Sequence, residues 1–305
     1  MSTNKLNLLI TGLPRNFGKF IQNLSEIINS KQITGKIVFS SWVNECTPNQ
    51  TKQLTDLGVI LKFTQPPNPI GRGSIWAQIK SLENGLELFN SDDLILKMRT
   101  DVILNPKHLS ELVNYYNLNS IPEDTQIFSQ KVLITSFEIT KPFYIDDMVF
   151  MGLCQDLRQF ISYDSSWDNA ADGGGETHIR IFIAPFIQKY PILNQYKLRL
   201  TEGGPTHHYI APLSPQRFKL LEKRLTEPEY KNYLSLYYEI LFKYFVVFNP
   251  KGFISHKHWY CNPGKDLTQE TYPHYYTSPS HPTRYNHIWC YSDNWAKLTH
   301  SKIIV

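Results

Sequence analysis

A chain of 305 residues with 41% hydrophobic and 19% charged residues has material for one large globular domain or two small ones, and is neither disordered nor fibrous. The formal charge of +4 is too mild for a nucleic-acid partner to be the main business, though it suits anionic ligands. Four cysteines (Cys46, Cys154, Cys261, Cys290) with no CxxC pairing exclude a disulfide framework and point to a reduced, cytosolic setting.

The N-terminus runs directly into a strand-like segment, so no signal peptide is expected. Residues 7–12 read as a first strand, and the Gly12-Leu-Pro-Arg15 turn follows it. Phe17, Phe20, Ile21, Leu24, Ile27 and Ile28 then recur at helical spacing, and Gly35 breaks that helix. Lys36–Ser41 is a second strand ending on hydroxyls, Pro48–Leu57 a polar helix, and Val59–Phe63 a third strand. Pro66–Gly73 is a loop on composition, after which Ser74 can cap a helix carrying Ile79, Leu82 and Leu86 on one face. Leu94–Asp101 is a short apolar run ending in Arg99 and Asp101, as expected of a buried fourth strand. Strands alternating with helices of this length predict right-handed βαβ units and a parallel sheet.

Beyond Asp101 the pattern loosens. A helix is expected over Leu109–Tyr116, a strand over Gln126–Ser129, an acid-interrupted strand over Phe143–Gly152 and a helix over Leu153–Phe160. Residues 164–175 form a polar loop ending in three glycines, and Glu176 opens a further helix. Residues 218–248 read as a long aromatic-rich helical region, and the tail from Ser255 is dense in His, Tyr, Trp and Pro. The most apolar late stretch, Tyr237–Phe248, is too short and too charged to span a bilayer. The division expected is a catalytic domain over 1–215, with a nucleotide-binding half to about 105 and an acceptor half over 106–215. Residues 216–305 form an extension packed on it.

Open α/β sheets bind ligands at the carboxyl ends of their strands. Four candidate groups lie at such ends or in unusual settings. The Thr11-Gly12 turn permits close backbone approach, and Arg15 can grip phosphate; an ordinary βα turn accounts for the same residues. Neither the GxGxxG nor the GxxxxGK[ST] spacing is present, which removes the dinucleotide-binding and P-loop readings. Arg99 and Asp101 share one strand face by alternation; a surface ion pair is the plain alternative. Asp101 could hold Mg²⁺ or Mn²⁺ if a nucleoside diphosphate completed the shell. Asp146 and Asp147 sit among apolar residues, where desolvation would raise a carboxyl pKa toward the range of a general base. Glu176 and His178 follow the glycines, where Glu176 could equally be a helix cap. The remaining histidines show no zinc-ligand spacing, and there is no GxSxG or HExxH.

Together, Ile10–Arg15, Val38–Trp42, Gln78 with Ser81 and Gly85, Leu96–Asp101, Ile145–Gly152 and Glu176 resemble the WavE lipopolysaccharide-synthesis family over roughly residues 7–185. The resemblance implies an α/β glycosyltransferase A-type fold, a Rossmann-like mixed, mostly parallel sheet flanked by helices, with an aromatic-rich, largely helical C-terminal elaboration. It implies transfer of a sugar from a nucleotide-sugar donor to a surface-glycan or glycolipid acceptor. It places a DxD-type metal-diphosphate motif at the end of strand four, where this chain reads Arg99-Thr100-Asp101, so only Asp101 carries over as a ligand. The roles that follow are Thr11, Gly12, Arg15, Ser41, Gln78, Arg99, Thr100 and Asp101 for the donor. Asp147 is the first candidate base, and Glu176 the second or an acceptor or metal contact. Trp42, Trp76 and Trp167 are candidate stacking platforms. The expected location is cytoplasmic, at the inner face of the membrane through peripheral contact. Competing readings are a metal-dependent phosphoester or nucleotide hydrolase using the same Asp101, and a non-catalytic carbohydrate- or nucleotide-sugar-binding protein.

Overall fold

In a computed structural model, the residues described are 5–67, 75–122, 125–135, 137–138, 143, 145, 148–162, 182–195, 227–250, 253–256 and 289–290. The first half alternates as its periodicity predicts: β1 (Leu6–Thr11), α1 (Phe17–Asn29), β2 (Ile37–Trp42), α2 (Pro48–Asp56), β3 (Ile60–Thr64), α3 (Ile75–Leu86) and β4 (Leu94–Arg99). β1 is buried at every position, and β4 at all but its last. That is why their sequences read as continuous apolar runs rather than as alternating ones.

After β4 come β5 (Val102–Leu104), α4 (Leu109–Asn119), β6 (Val132–Ile134), β7 (Phe137–Glu138), β8 (Val149–Leu153) and α5 (Cys154–Phe160). The late elements are α6 (Glu227–Tyr244), β9 (Phe245–Val247), β10 (Ile254–His256) and β11 (Trp289–Cys290). The main sheet has seven strands in the order β3-β2-β1-β4-β8-β6-β9. β1 to β4 are mutually parallel, β8 is antiparallel to both β4 and β6, and β9 pairs parallel with β6. This is the mixed, mostly parallel sheet flanked by helices that the sequence led us to expect.

Two apolar layers cover the sheet. Phe20, Leu24 and Ile27 of α1, Leu54 of α2 and Leu109, Leu112 and Tyr116 of α4 pack on one face. Ile79, Leu82 and Leu86 of α3, Leu157 and Phe160 of α5, and Tyr237, Ile240, Leu241 and Tyr244 of α6 pack on the other. Among the described residues, that second layer holds most of the buried aromatic side chains. Phe128, Phe160, Phe182, Phe186, Tyr244 and Phe245 meet one another edge-to-face, tilted or stacked at centroid distances of 5.1–6.3 Å. These rings are core.

Two strand expectations shift. Residues 125–130 form turns and bends, and the strand begins later, at Val132. Phe128 is apolar because its ring joins the aromatic layer. The extended run expected from Phe143 starts only at Val149, and Phe143 itself has φ 64°, in the left-handed region that a bulky side chain rarely enters. The stretch after residue 215 is also more than helix. α6 leads straight into β9 of the main sheet, β10 pairs with β5, and β11 pairs with β7.

Candidate functional site

The carboxyl ends of β1, β2 and β4 lie side by side, because Thr11 is in register with both Ser40 and Arg99. Gly12 follows with φ 112°, a conformation that favours glycine, and a Cβ there would stand 3.3 Å from Thr100 Oγ1. The turn is tied to its neighbours by backbone bonds: Gly12 N–H donates to Ser40 O, and Thr100 N–H donates to Thr11 O. The Thr100 hydroxyl closes the arrangement by donating to Leu13 O at 2.5 Å. Thr100, foreseen as a donor contact, is therefore buried and acts as a latch between the ends of β1 and β4.

β4 ends at Arg99, and Asp101, expected within the strand, lies in the turn that follows, so the two side chains meet across that turn. Arg99 Nε donates to Asp101 Oδ1 at 2.8 Å and Nη2 to Oδ2 at 2.5 Å, a two-pronged pair with side chains 17% and 21% exposed. Arg99 Nη1 donates to Gln78 Oε1 at 3.4 Å. Gln78 reaches this point because α3 lies close on β1 and β2. Ser40 Oγ donates to Ser81 O at 2.6 Å, and Ser81 Oγ to Ser40 O at 2.8 Å. A Cβ on Gly85 would fall 2.5 Å from Leu9 Cδ1 and 3.1 Å from Ser40 Cβ. Gln78, Ser81 and Gly85 occupy one helix face at three- and four-residue spacing. Two of them set the approach, and the third meets the guanidinium.

Lys97 is the residue whose role the sequence did not disclose. It shares the Arg99 face of β4 and is 3% exposed. Its ammonium lies 4.8 Å from the Phe150 ring centroid and donates to Met148 O at 3.5 Å. The signal available was its parity: a lysine two residues before Arg99, inside a strand buried on both faces, must point into the same layer.

Thr11 and Ser41 are fully buried, yet neither hydroxyl has a hydrogen-bond partner. Thr135, directly after β6 and at the same end of the sheet, is in the same condition. Buried hydroxyls are normally paired, and of the four unpaired ones among the described residues three lie at strand carboxyl ends, the fourth being Tyr116 on α4. Arg15 is exposed just before α1, whose N-cap Asn16 is left-handed and makes no side-chain cap, in contrast to the full capping box of α2. Trp42 is 7% exposed and packed, which removes it as a stacking platform.

Asp147, Glu176, His178 and Trp167 lie outside the described residues, as does the side chain of Trp76. Thus Thr11, Gly12, Gln78, Arg99, Thr100 and Asp101 come together, while Ser41 points to the opposite sheet face. The described donor set does not fit a divalent cation. It offers one carboxylate, both of whose oxygens are engaged by Arg99, and no three acidic, His or Cys groups converge among the described residues.

No family model and no curated protein matches this chain, so the resemblance to the WavE-type family finds no support there. Solved structures of similar fold include the galactosyltransferase LgtC in complex with donor and acceptor sugar analogs. That match is 12% identical, covers 98% of this chain and 97% of that one, and has a TM-score of 0.37. The glucosyl-3-phosphoglycerate synthase of Mycobacterium tuberculosis, in complex with Mn²⁺ and UDP, is 10% identical over 61% of this chain and 67% of its own, with a TM-score of 0.37. A cytidylyltransferase from Leptospira borgpetersenii is 14% identical over 62% and 73%, with a TM-score of 0.38. At these scores the likenesses carry no argument about what this chain does.

Proposed function

We propose that the protein is a glycosyltransferase that moves a sugar from a nucleotide-sugar donor to an acceptor hydroxyl. The observation that carries this reading is Arg99. It is a guanidinium at the carboxyl end of a central parallel strand, braced by Gln78 and facing the edge where the Gly12 turn brings backbone close. A departing nucleoside diphosphate needs fixed positive charge where its negative charge develops, and Arg99, with Arg15 nearby in sequence, supplies it.

The transfer makes a bond from the acceptor oxygen to the anomeric carbon and breaks the bond from that carbon to the diphosphate oxygen. The hydroxyl proton goes to a carboxylate, and the nucleoside diphosphate leaves. Asp147 is the first candidate for that base, as an acid set among apolar residues, and Glu176, after the three glycines, is the second or an acceptor contact. Thr11 and Gly12 line the edge on the Arg99 side, and Thr100 holds the turn in place. These steps use only this chain's residues.

The acceptor we propose is a surface glycan or lipid-linked glycan, reached by peripheral contact with the membrane. Among the described residues no helix is long and apolar enough to cross one. The test is incubation with a panel of nucleotide-sugars, with and without glycan acceptors, following nucleoside-diphosphate release and the glycosylated product. Acceptor-dependent release supports transfer. Free sugar phosphate or inorganic phosphate as the main product would instead identify a hydrolase, and binding without turnover would identify a carbohydrate- or nucleotide-sugar-binding protein. Sedimentation with anionic liposomes checks the membrane contact.

A further inference from the structure

The inference drawn from the Arg99–Asp101 pair rests on the donor reading above and names how its diphosphate is held. A carboxylate can accept about four hydrogen bonds, and here the two that face Arg99 are taken by Nε and Nη2 of one guanidinium. A divalent cation coming to Asp101 must displace that guanidinium or bind beside it, against like charge at short range. A diphosphate meets the opposite situation. Its oxygens present the same two-pronged acceptor to the guanidinium with more negative charge, so it can take the carboxylate's place.

We propose that Asp101 is a stand-in anion that holds Arg99 in position while the site is empty. Arg99 then binds the donor's diphosphate without a divalent cation. Two features of the surroundings fit an exchange of this kind. Arg99 is gripped from its other side by Gln78 through Nη1, a nitrogen Asp101 does not use, so the guanidinium stays aimed when the carboxylate lets go. Thr100, between the two, is latched by its hydroxyl to Leu13 O and by its N–H to Thr11 O. The exchange therefore needs a side-chain rotation of Asp101 and no shift of the strand end. Lys97 sets a second cation on the same face of β4, which a metal ion would also approach.

Calorimetric titration of the full chain with UDP, GDP, CDP and ADP tests this, each in excess EDTA and again with Mn²⁺. The expected result is one preferred nucleotide bound with the same affinity in both conditions. Asp101→Asn should bind it at least as tightly as the wild type, because the competing anion is gone. Arg99→Gln should lose about tenfold or more, the scale of a charge-assisted hydrogen-bond pair. Binding that appears only with Mn²⁺ would overturn the inference and leave the donor reading standing, as would an Asp101→Asn loss matching that of Arg99→Gln. No binding of any nucleotide in either condition would overturn both. The EDTA comparison on the wild type needs no variant, so it decides the matter even where a substitution disturbs folding.

Discussion

Gly12 and Thr100 are close enough that a single methyl separates a formed latch from a strained one. Gly12→Ala should cost about 1–3 kcal/mol, since alanine disfavours that backbone region, and the new Cβ presses on the Thr100 hydroxyl at 3.3 Å. A thermal melt together with nucleotide titration checks it, and both should worsen. Cys46 makes a different prediction. Burial, and after it the charge of Glu45, pushes its thiol up to about 11. Only the thiolate reacts, so alkylation of Cys46 should be half-maximal near pH 11 and still rising there, about two pH units above an ordinary thiol. Peptide mapping after iodoacetamide treatment across that range reads it, and a plateau near pH 9 would contradict the buried environment. At this scale the sequence was informative in part. It offered an Arg99–Asp101 ion pair as the plain reading, and that pair is present; the Gln78 contact was not legible, because residue order does not encode which helix lies alongside.

The spacing of α3 from β1 and β2 is governed by small side chains, and the two ends of the sheet respond differently to changes in them. Gly85→Ala drives a Cβ into Leu9 and Ser40 and should destabilise by about 1–3 kcal/mol, as overpacking does. Because the same helix carries Gln78, nucleotide affinity should fall with it. Asn7 is the counterpart at the other end of β1. Its Nδ2 donates to Leu94 O and Lys5 O, and its Oδ1 accepts from Lys36 N. Asn7→Ala removes the partner of the buried Leu94 O and should cost about 1–3 kcal/mol, with nucleotide affinity unchanged. Melting and titrating both variants separates the two cases. A loss of affinity in Asn7→Ala, or none in Gly85→Ala, would refute the assignment of the carboxyl edge as the site. The helical period announced α3 and its face, while the reciprocal Ser40–Ser81 bonds are tertiary and had no local signature.

Across the whole molecule, described residues late in the chain are part of the core, with β9 an outer strand of the main sheet. Tyr237, Ile240, Leu241, Tyr244, Phe245 and Val247 are all fully buried. At about 1.5–3 kcal/mol for each such side chain, their removal matches or exceeds a total stability of about 5–15 kcal/mol. A chain ending at residue 226 should therefore show no cooperative melt and should bind a hydrophobic dye. A sharp two-state transition would show that the first part folds without β9. The first four strands were legible because short apolar runs, buried in β1 and β4 and half-exposed in the edge strand β3, alternate with amphipathic helices. The rest was not. β8 pairs with β4 across a long sequence gap, β6 lies outside β8 although it comes first, and β9 arrives more than a hundred residues after β6. Local pattern records burial, not which strand lies alongside.

The reversal of β8 has an evolutionary consequence. β6 ends at Ile134 and β8 begins at Val149, and the two pair antiparallel, with Ile134 opposite Phe150. The connection over residues 135–148 therefore leaves and returns at the same edge of the sheet, the one that holds Arg99, and it carries Asp146 and Asp147. Its two anchors are fixed by the sheet whatever its length. Doubling such a connection adds only about 0.6 kcal/mol of closure entropy. The connection has inner anchors as well, because Phe137, Phe143 and Ile145 are buried in the aromatic layer. Changes between those anchors should cost folding little only while the three stay in place. If the proposed transfer holds, differences in acceptor preference among related chains should accumulate between those anchors, while Arg99 and Gln78 stay unchanged.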